Sequence, residues 1–141
     1  MPFPRSALTQ TMPNRPPRYV LDAHAWIEYL RGSPPGLRVR NLINNGLVYT
    51  NALTLSEVVD HVASQGQDYA LAARAVKTLS DIVEIDDELA VSAAKRHARM
   101  KRSVKKTTLG QAYLVETAKR FGAEIVTGDK SLISGRAILI K

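Results

Sequence analysis

The chain has 141 residues, 45% of them hydrophobic and none of them cysteine, which suits one compact domain with a real core and excludes disulfides and thiolate metal sites. The absence of cysteine is typical of a cytoplasmic protein, and the sequence contains neither a signal-peptide pattern nor an apolar run long enough to span a bilayer. The formal net charge of +7 favours a polyanionic partner, nucleic acid before an anionic membrane surface, although solubility by itself explains the charge equally well.

The chain begins with a proline-rich stretch and continues with alternating strand and helix patterns. Residues 1–17 contain five prolines and little periodicity, so we expect a flexible tail followed by one domain at 18–141. Apolar periodicity predicts strands at 19–21, 47–50, 82–85, 125–127 and 138–140. It predicts helices at about 25–30, 37–43, 55–62, 69–79, 87–101 and 108–121. This alternation predicts an α/β fold with a mainly parallel five-stranded sheet covered on both faces.

Three acidic residues follow predicted strands or lie early in a predicted helix. Asp22 follows the first strand, Glu57 lies in the third helix, and Asp129 follows the fourth strand. The carboxyl ends of parallel strands meet at one edge of the sheet, where ligands bind. Carboxylates gathered there repel one another by about 4 kcal/mol per pair at about 4 Å and an effective dielectric near 20. A proton or a hard cation such as Mg²⁺ would offset that repulsion, so the pattern predicts a metal site.

Each of these acids also has a purely structural explanation. Asp22 could cap the helix that follows it, and Asp129 could be a turn residue. For both residues we favour metal binding. Thr54 and Glu57 have the spacing of a capping box, in which Glu57 would accept from the Thr54 amide. For Glu57 this explanation has nearly the same weight as metal binding.

Four segments, at 19–27, 50–58, 108–112 and 127–132, resemble the motifs of the PIN domain family. That family comprises small metal-dependent ribonucleases, including the VapC-like toxins of bacterial and archaeal toxin–antitoxin pairs. The resemblance extends over 18–141 and implies a three-layer α/β/α fold. It implies that Asp22, Glu57 and Asp129 are catalytic and bind Mg²⁺ or Mn²⁺, with RNA as the substrate. It also implies two protein partners, a second copy of the chain and a small antitoxin.

The sequence departs from the family pattern at three positions. Gln111 stands where the family usually has its third acid, Ser131 where many members have a second Asp, and His24 where a small hydroxyl or Asn is common. Thr108 and Gln111 have capping-box spacing, so Gln111 keeps the helix start and removes a charge. We therefore expect a more stable apo protein and a lower metal affinity. Four residues are candidates for positioning water or substrate: Gln111, Thr127, His24 and Asn51.

A basic stretch leads to Gln111, and no acidic residue lies between 89 and 115. The candidates for RNA contact are Lys95, Arg99, Arg102 and Lys106, with Arg96, Lys101 and Lys105 beside them. Such a stretch can bind a phosphate backbone or simply form a solvated charged face, and the lack of acids favours RNA. A second stripe, of Leu71, Ala72, Ala75 and Leu79, could pack a second copy.

Two functions follow from these observations. The first is a metal-dependent endoribonuclease that resembles the toxin of a toxin–antitoxin pair. The second is a catalytically weakened or inactive PIN-like domain that binds RNA or a protein partner, which Gln111 and Ser131 favour.

Overall fold

The computed structural model describes residues 15–104, 106–132 and 137–140. Within these ranges the strands are β1 (Arg18–Leu21), β2 (Leu47–Asn51), β3 (Asp81–Val83), β4 (Glu124–Thr127) and β5 (Ala137–Leu139). The α-helices are α1 (Ala23–Arg31), α2 (Pro34–Asn45), α3 (Ala52–Ser64), α4 (Tyr69–Leu79), α5 (Asp87–Met100) and α6 (Leu109–Phe121). A short 3-10 turn covers Lys130–Leu132. Most of the predicted tail, residues 1–14, lies outside the described ranges.

The five strands form one sheet in the order β3-β2-β1-β4-β5, and all four neighbouring pairs are parallel. This confirms the predicted α/β fold. Leu21 lies opposite Val126 in the pairing of β1 with β4, so the next residues, Asp22 and Thr127, lie side by side at the carboxyl ends of these strands. The reversal of strand order beside β1 creates the crevice in which α/β sheets bind ligands.

Strand β3 begins one residue earlier and ends two residues earlier than predicted. Its three residues pair with Tyr49–Asn51 of β2. The pairing ends at Val83 because its partner, Asn51, is the residue at which β2 gives way to α3. The last two residues of the predicted strand at 82–85 therefore have no partner in β2 and are not part of the sheet.

Successive side chains of β1 point to opposite faces of the sheet, and helices cover the apolar residues on each face. Tyr19 and Leu21 pack in a core that includes Trp26 of α1 and Val58 of α3. Val20 packs in the opposite core, which contains Leu114 and Ala118 of α6. Helix α5 packs against α6. The result is a three-layer arrangement with β1 in its centre.

Two further findings concern the surface. Among the described residues, none of the helices combines the length and the apolar character needed to cross a membrane. On α4, Ala72 is buried in the core whereas Leu71 and Tyr69 are more than half exposed. The predicted stripe of small residues therefore does not form a single outward face.

Candidate functional site

Asp22 caps a helix and also contacts the end of the neighbouring strand β4. Its Oδ1 accepts a hydrogen bond from the backbone N–H of Ala25 at 2.8 Å, which caps α1. Its Oδ2 accepts from the Thr127 hydroxyl at 2.5 Å. The side chain is buried, with 7% of the residue exposed. The two explanations offered by the sequence are thus compatible, because each uses a different oxygen.

Burial raises the pKa of the Asp22 carboxyl. The hydrogen bonds from Thr127 and Ala25 and the nearby His24 act in the opposite direction, whereas the charge of Asp129 raises the pKa further. The ionised form of Asp22 is therefore disfavoured by desolvation and by a second carboxylate. A bound cation would relieve both effects.

Thr127 joins Asp22 to Asp129. Its hydroxyl donates to Asp22 and accepts from the backbone N–H of Asp129 at 2.9 Å, and the residue is fully buried. Oδ1 of Asp129 accepts from the backbone N–H of Ser131 at 2.9 Å and from its hydroxyl at 2.8 Å. Asp129 is thus a turn residue as well as a neighbour of Asp22, and the structure brings the two predicted acids together.

The capping box predicted for Thr54 and Glu57 is wrong. Helix α3 begins at Ala52 with Asn51 as its N-cap, and Asn51 Oδ1 accepts from the Thr54 N–H at 2.8 Å. The helix begins three residues earlier than a Thr54 cap would require, so the Thr54 amide lies within the first turn and is already paired with Asn51. Glu57 therefore has no capping role.

The Glu57 carboxyl faces the start of α6. A methyl group placed on Gly110 would lie 3.6 Å from Glu57 Oε2, which is ordinary van der Waals contact. The residue as a whole is exposed, yet partial burial of its carboxyl raises the pKa, and the charge of Asp22 adds to that increase. The end of β1, the first half of α3 and the start of α6 thus lie close together. We use the name acidic pocket for the carboxyl groups gathered there, those of Asp22, Glu57 and Asp129.

Gln111 forms the capping box of α6 that its spacing predicts. Its Oε1 accepts from the Thr108 N–H at 2.9 Å and from the Thr107 hydroxyl at 3.0 Å. Its Nε2 donates to Asp129 Oδ2 and to the Ser131 hydroxyl, the latter at 3.2 Å. The side chain therefore presents its amide N–H groups to the pocket, and its carbonyl oxygen faces the backbone. Sequence reasoning missed the role of Thr107, since that residue lies one position before the capping box.

His24 and Gly128 are packed against each other at the side of the pocket. A methyl group on Gly128 would lie 2.6–2.8 Å from three ring atoms of His24, closer than real side chains come. The Nδ1 atom of His24 is buried and has no hydrogen-bond partner among the described residues. His24 thus fills space over the Thr127–Asp129 segment, and Gly128 is required there because the ring leaves no room for a Cβ atom.

Asn51 is placed differently from the other predicted positioning residues. It is fully buried, caps α3, and donates from Nδ2 to the Thr117 hydroxyl at 3.2 Å. Both groups of its amide are used to join β2, α3 and α6. Asn51 therefore holds the start of α3 against α6 and positions the elements that carry the acids.

The predicted RNA-contact residues are exposed on the last turns of α5 and on the segment after it: Lys95, Arg99, Arg102 and Lys106. Arg96 instead forms an ion pair with Glu116 of α6, and Lys105 lies outside the described residues. The segment returns to the acidic pocket at Thr107, whose carbonyl lies 3.2 Å from His97 Nε2 and whose hydroxyl donates to Gln111.

The donors of the pocket suit Mg²⁺ or Mn²⁺ in their chemistry. Across the ranges that the structure describes, no three His, Cys, Asp or Glu side chains are close enough together to enclose a metal ion. Mg²⁺ does not need such a cage, because it is usually held by one or two carboxylates and several waters. Asp22 interacts electrostatically with both Asp129 and Glu57. These three carboxylates are the residues that would hold such an ion.

Comparison with known proteins identifies the family. The sequence model of the PIN domain matches residues 19–135, most of the chain. This chain belongs to the PIN domain family. A search of curated proteins found no match.

Solved structures of a toxin and of toxin–antitoxin complexes have the same fold at low sequence identity. The sarcin-ricin loop cleaving toxin VapC20 of Mycobacterium tuberculosis is 16% identical, with a TM-score of 0.65 over 81% of this chain and 92% of that one. A toxin–antitoxin complex from Klebsiella pneumoniae gives 17% identity and a TM-score of 0.66, covering 87% of this chain and 98% of that one. DNA-bound VapBC from Salmonella typhimurium is 14% identical, with a TM-score of 0.65 over 89% of this chain and 99% of that one. The likeness establishes a shared fold.

Proposed function

We propose that this protein is a divalent-cation-dependent endoribonuclease of the toxin type. The observation that carries the proposal is the Thr127 hydroxyl, which donates to Asp22 Oδ2 and accepts from the backbone N–H of Asp129. The carboxyl of Asp129 lies near enough for its charge to raise the pKa of Asp22, and the charge of Asp22 in turn raises the pKa of Glu57. Asp22 and Asp129 would hold Mg²⁺ or Mn²⁺, and Glu57 would complete the ligand set or orient water. When bound, such an ion polarises a phosphoryl oxygen and lowers the pKa of an attacking water.

The remaining residues of the site position the acids and the substrate. Thr127 fixes one oxygen of Asp22 and the backbone of Asp129. The exposed side chains of Lys95, Arg99, Arg102 and Lys106 would hold the backbone of single-stranded RNA beside the pocket. This division leaves sequence preference to other contacts, because phosphate contacts carry no base information.

Two protein partners complete the proposal. A small antitoxin is supported by the Klebsiella pneumoniae and Salmonella typhimurium structures, which are complexes of that kind. A homodimer is implied by the family resemblance, and the exposed Tyr69 and Leu71 of α4 are apolar groups that an interface would cover.

RNA cleavage by purified protein tests the proposal. Cleavage should require Mg²⁺ or Mn²⁺, stop in EDTA, and fall by at least about a hundredfold in Asp22→Asn, because that substitution removes a ligand of the cation. Asp60→Asn, which changes an exposed carboxylate on α3, is the matched control and should retain cleavage. Metal-independent cleavage, or cleavage unaffected by Asp22→Asn, would disprove this function.

A second function is favoured by the hydrogen bond from Gln111 to Asp129. A neutral donor occupies a site at which the family usually has a carboxylate, as expected for a PIN domain that binds RNA or a protein without cleaving. Gln111→Asp separates the two functions. A large increase in cleavage or Mn²⁺ affinity indicates a weakened enzyme, whereas no response indicates a binding domain.

A further inference from the structure

We propose that Gln111 and Ser131 form a latch that holds Asp129 in place without a cation, and that this latch competes with cation binding at Asp129. The internal latch stands on contacts within this chain. The competition rests on the proposed function, since it requires that a cation bind there.

The orientation of the Gln111 amide is fixed by its neighbours. The backbone N–H of Thr108 can only donate, so the atom 2.9 Å from it must be the carbonyl oxygen of Gln111. The amide nitrogen must then face Asp129, whose ionised carboxylate can only accept. A reversed amide would place N–H against N–H at one end and oxygen against oxygen at the other. Gln111 therefore offers the pocket a donor, and its carbonyl oxygen is not available to a metal ion.

Both oxygens of Asp129 already accept hydrogen bonds from this latch. Oδ2 accepts from Gln111, and Oδ1 accepts from the N–H and the hydroxyl of Ser131. The two side chains that donate are two of the three positions at which the sequence departs from the family pattern. Neutral donors stabilise the carboxylate without adding charge, and so they perform part of the task of a cation.

The latch is anchored at its other end. The Thr107 hydroxyl and the Thr108 N–H both donate to Gln111 Oε1, and the Thr108 hydroxyl accepts from the Gln111 N–H at 3.1 Å. With its backbone and carbonyl held, the Gln111 side chain loses little further freedom when it binds Asp129. Removal of the amide should therefore make Asp129 Oδ2 more accessible to a cation at the expense of apo stability.

A double-mutant cycle in EDTA tests the internal latch. The variants are Gln111→Ala, Asp129→Ala and the double substitution, and urea unfolding gives the folding equilibrium constant of each. We expect the two effects to be coupled by at least about fivefold in that constant, because each single variant breaks the same hydrogen bond. Gln111→Ala combined with Asp60→Ala is the control, since Asp60 is an exposed carboxylate of α3 outside the latch, and the two effects should be additive. Additivity of Gln111→Ala and Asp129→Ala would overturn the latch.

Calorimetric titration with Mn²⁺ tests the competition. Gln111→Ala should bind Mn²⁺ roughly tenfold more tightly than the wild type, because a hydrogen bond to a charged group no longer has to be displaced. Ser131→Ala, which leaves the start of α6 intact, should give a smaller increase, and Asp60→Ala, which removes an exposed carboxylate of α3, should give none. Unchanged or weaker binding in both Gln111→Ala and Ser131→Ala would overturn the competition. Coupling in EDTA without Mn²⁺ uptake by any variant would contradict the competition and the proposed nuclease, and would support the internal latch.

Discussion

Asp22 uses its two carboxylate oxygens for two different tasks. One oxygen caps α1 through the Ala25 N–H, and the other is held by the Thr127 hydroxyl at the pocket. Asn is nearly as good a helix cap as Asp. The charge can therefore be removed while the local structure is kept, which makes this residue a clean probe of the site.

Asp22→Asn should stabilise the apo protein at neutral pH. The pKa of Asp22 is raised in the folded state, so its ionisation destabilises the fold as the pH rises through the unfolded pKa towards the folded pKa. The variant has no ionisable group at this position, so above both pKa values it should have a larger free energy of unfolding than the wild type. Each 1 kcal/mol of added stability would raise Tm by about 2–5 °C. Thermal unfolding in EDTA from pH 3 to 8 measures it. The gain should vanish below the unfolded pKa, and a gain that grows in acid would contradict this explanation.

Gly128→Ala should destabilise the protein by about 1–3 kcal/mol because the new methyl group would collide with the His24 ring. The cost should shrink in a His24→Ser background, which removes the ring. Gly110→Ala is the matched control, since a methyl group there meets nothing closer than 3.6 Å and should stabilise α6 by up to about 1 kcal/mol. Urea unfolding of these variants measures the difference, and equal effects of the two glycine substitutions would refute the steric explanation.

At the scale of elements, the starts of α3 and α6 determine which side chains reach the pocket. Helix α3 begins at Ala52 because Asn51 caps it, and this leaves Glu57 directed at Gly110. Helix α6 begins at Leu109 with the Thr108–Gln111 capping box. Each cap fixes the register of its helix and therefore the position of a polar side chain, Gln111 about one turn after Thr108 and Glu57 nearly two turns after Asn51.

Asn51 should be more sensitive to substitution than an ordinary cap. Asn51→Ala removes the acceptor for the Thr54 N–H and the donor to Thr117 in a fully buried setting, so we expect a loss of about 2–4 kcal/mol. Asn51→Asp keeps the acceptor for the Thr54 N–H, but when ionised it loses the donor to Thr117 and introduces a buried charge. Only below the pKa of the new carboxyl is that charge absent, so the helix cap can be tested without it. Urea unfolding at pH 3 and pH 7 should show Asn51→Asp closer to wild type in acid. A cost for Asn51→Ala below about 0.5 kcal/mol would contradict the cap assignment.

At the scale of the whole molecule, charge is separated between a pocket of acids and a basic surface. The chain carries a net charge of +7, yet the acids that follow β1 and β4 meet at one edge of the sheet. The basic segment after α5 connects to that edge through Thr107 and Gln111. An RNA backbone attracted to the basic surface would lie beside the carboxylates.

Substitution of Arg99 or Arg102 by alanine should weaken RNA binding and reduce its salt dependence together. Removing one phosphate-binding side chain should reduce the slope of log K against log salt by about 0.7 for a single strand. Fluorescence anisotropy of a labelled single-stranded RNA, titrated at several salt concentrations, measures the slope for Arg99→Ala and Arg102→Ala. Arg74→Ala removes an exposed positive charge on α4 and is the control. An equal decrease in all three variants would mean that general charge, not this surface, binds RNA.

Local patterns in the sequence were enough to predict the alternation of strands and helices, the parallel sheet, the capping box of α6 and the nearness of Asp22 to Asp129. These follow from periodicity and from local capping chemistry, which act over a few residues. Prediction failed where a local pattern competed with a distant partner. Thr54 and Glu57 have the spacing of a capping box, but the end of β2 and the buried contact of Asn51 with Thr117 begin the helix three residues earlier.

The hydrogen bonds and steric contacts of the acidic pocket could be seen only in the folded chain. The direction of the Gln111 amide depends on Thr108 on one side and Asp129 on the other, and the need for glycine at position 128 depends on the ring of His24. Gln111 and Asp129 are 18 residues apart in the chain, and His24 and Gly128 are 104 residues apart. Hydrogen-bond direction and steric exclusion act between neighbours in space, so a pattern read along the chain cannot contain them.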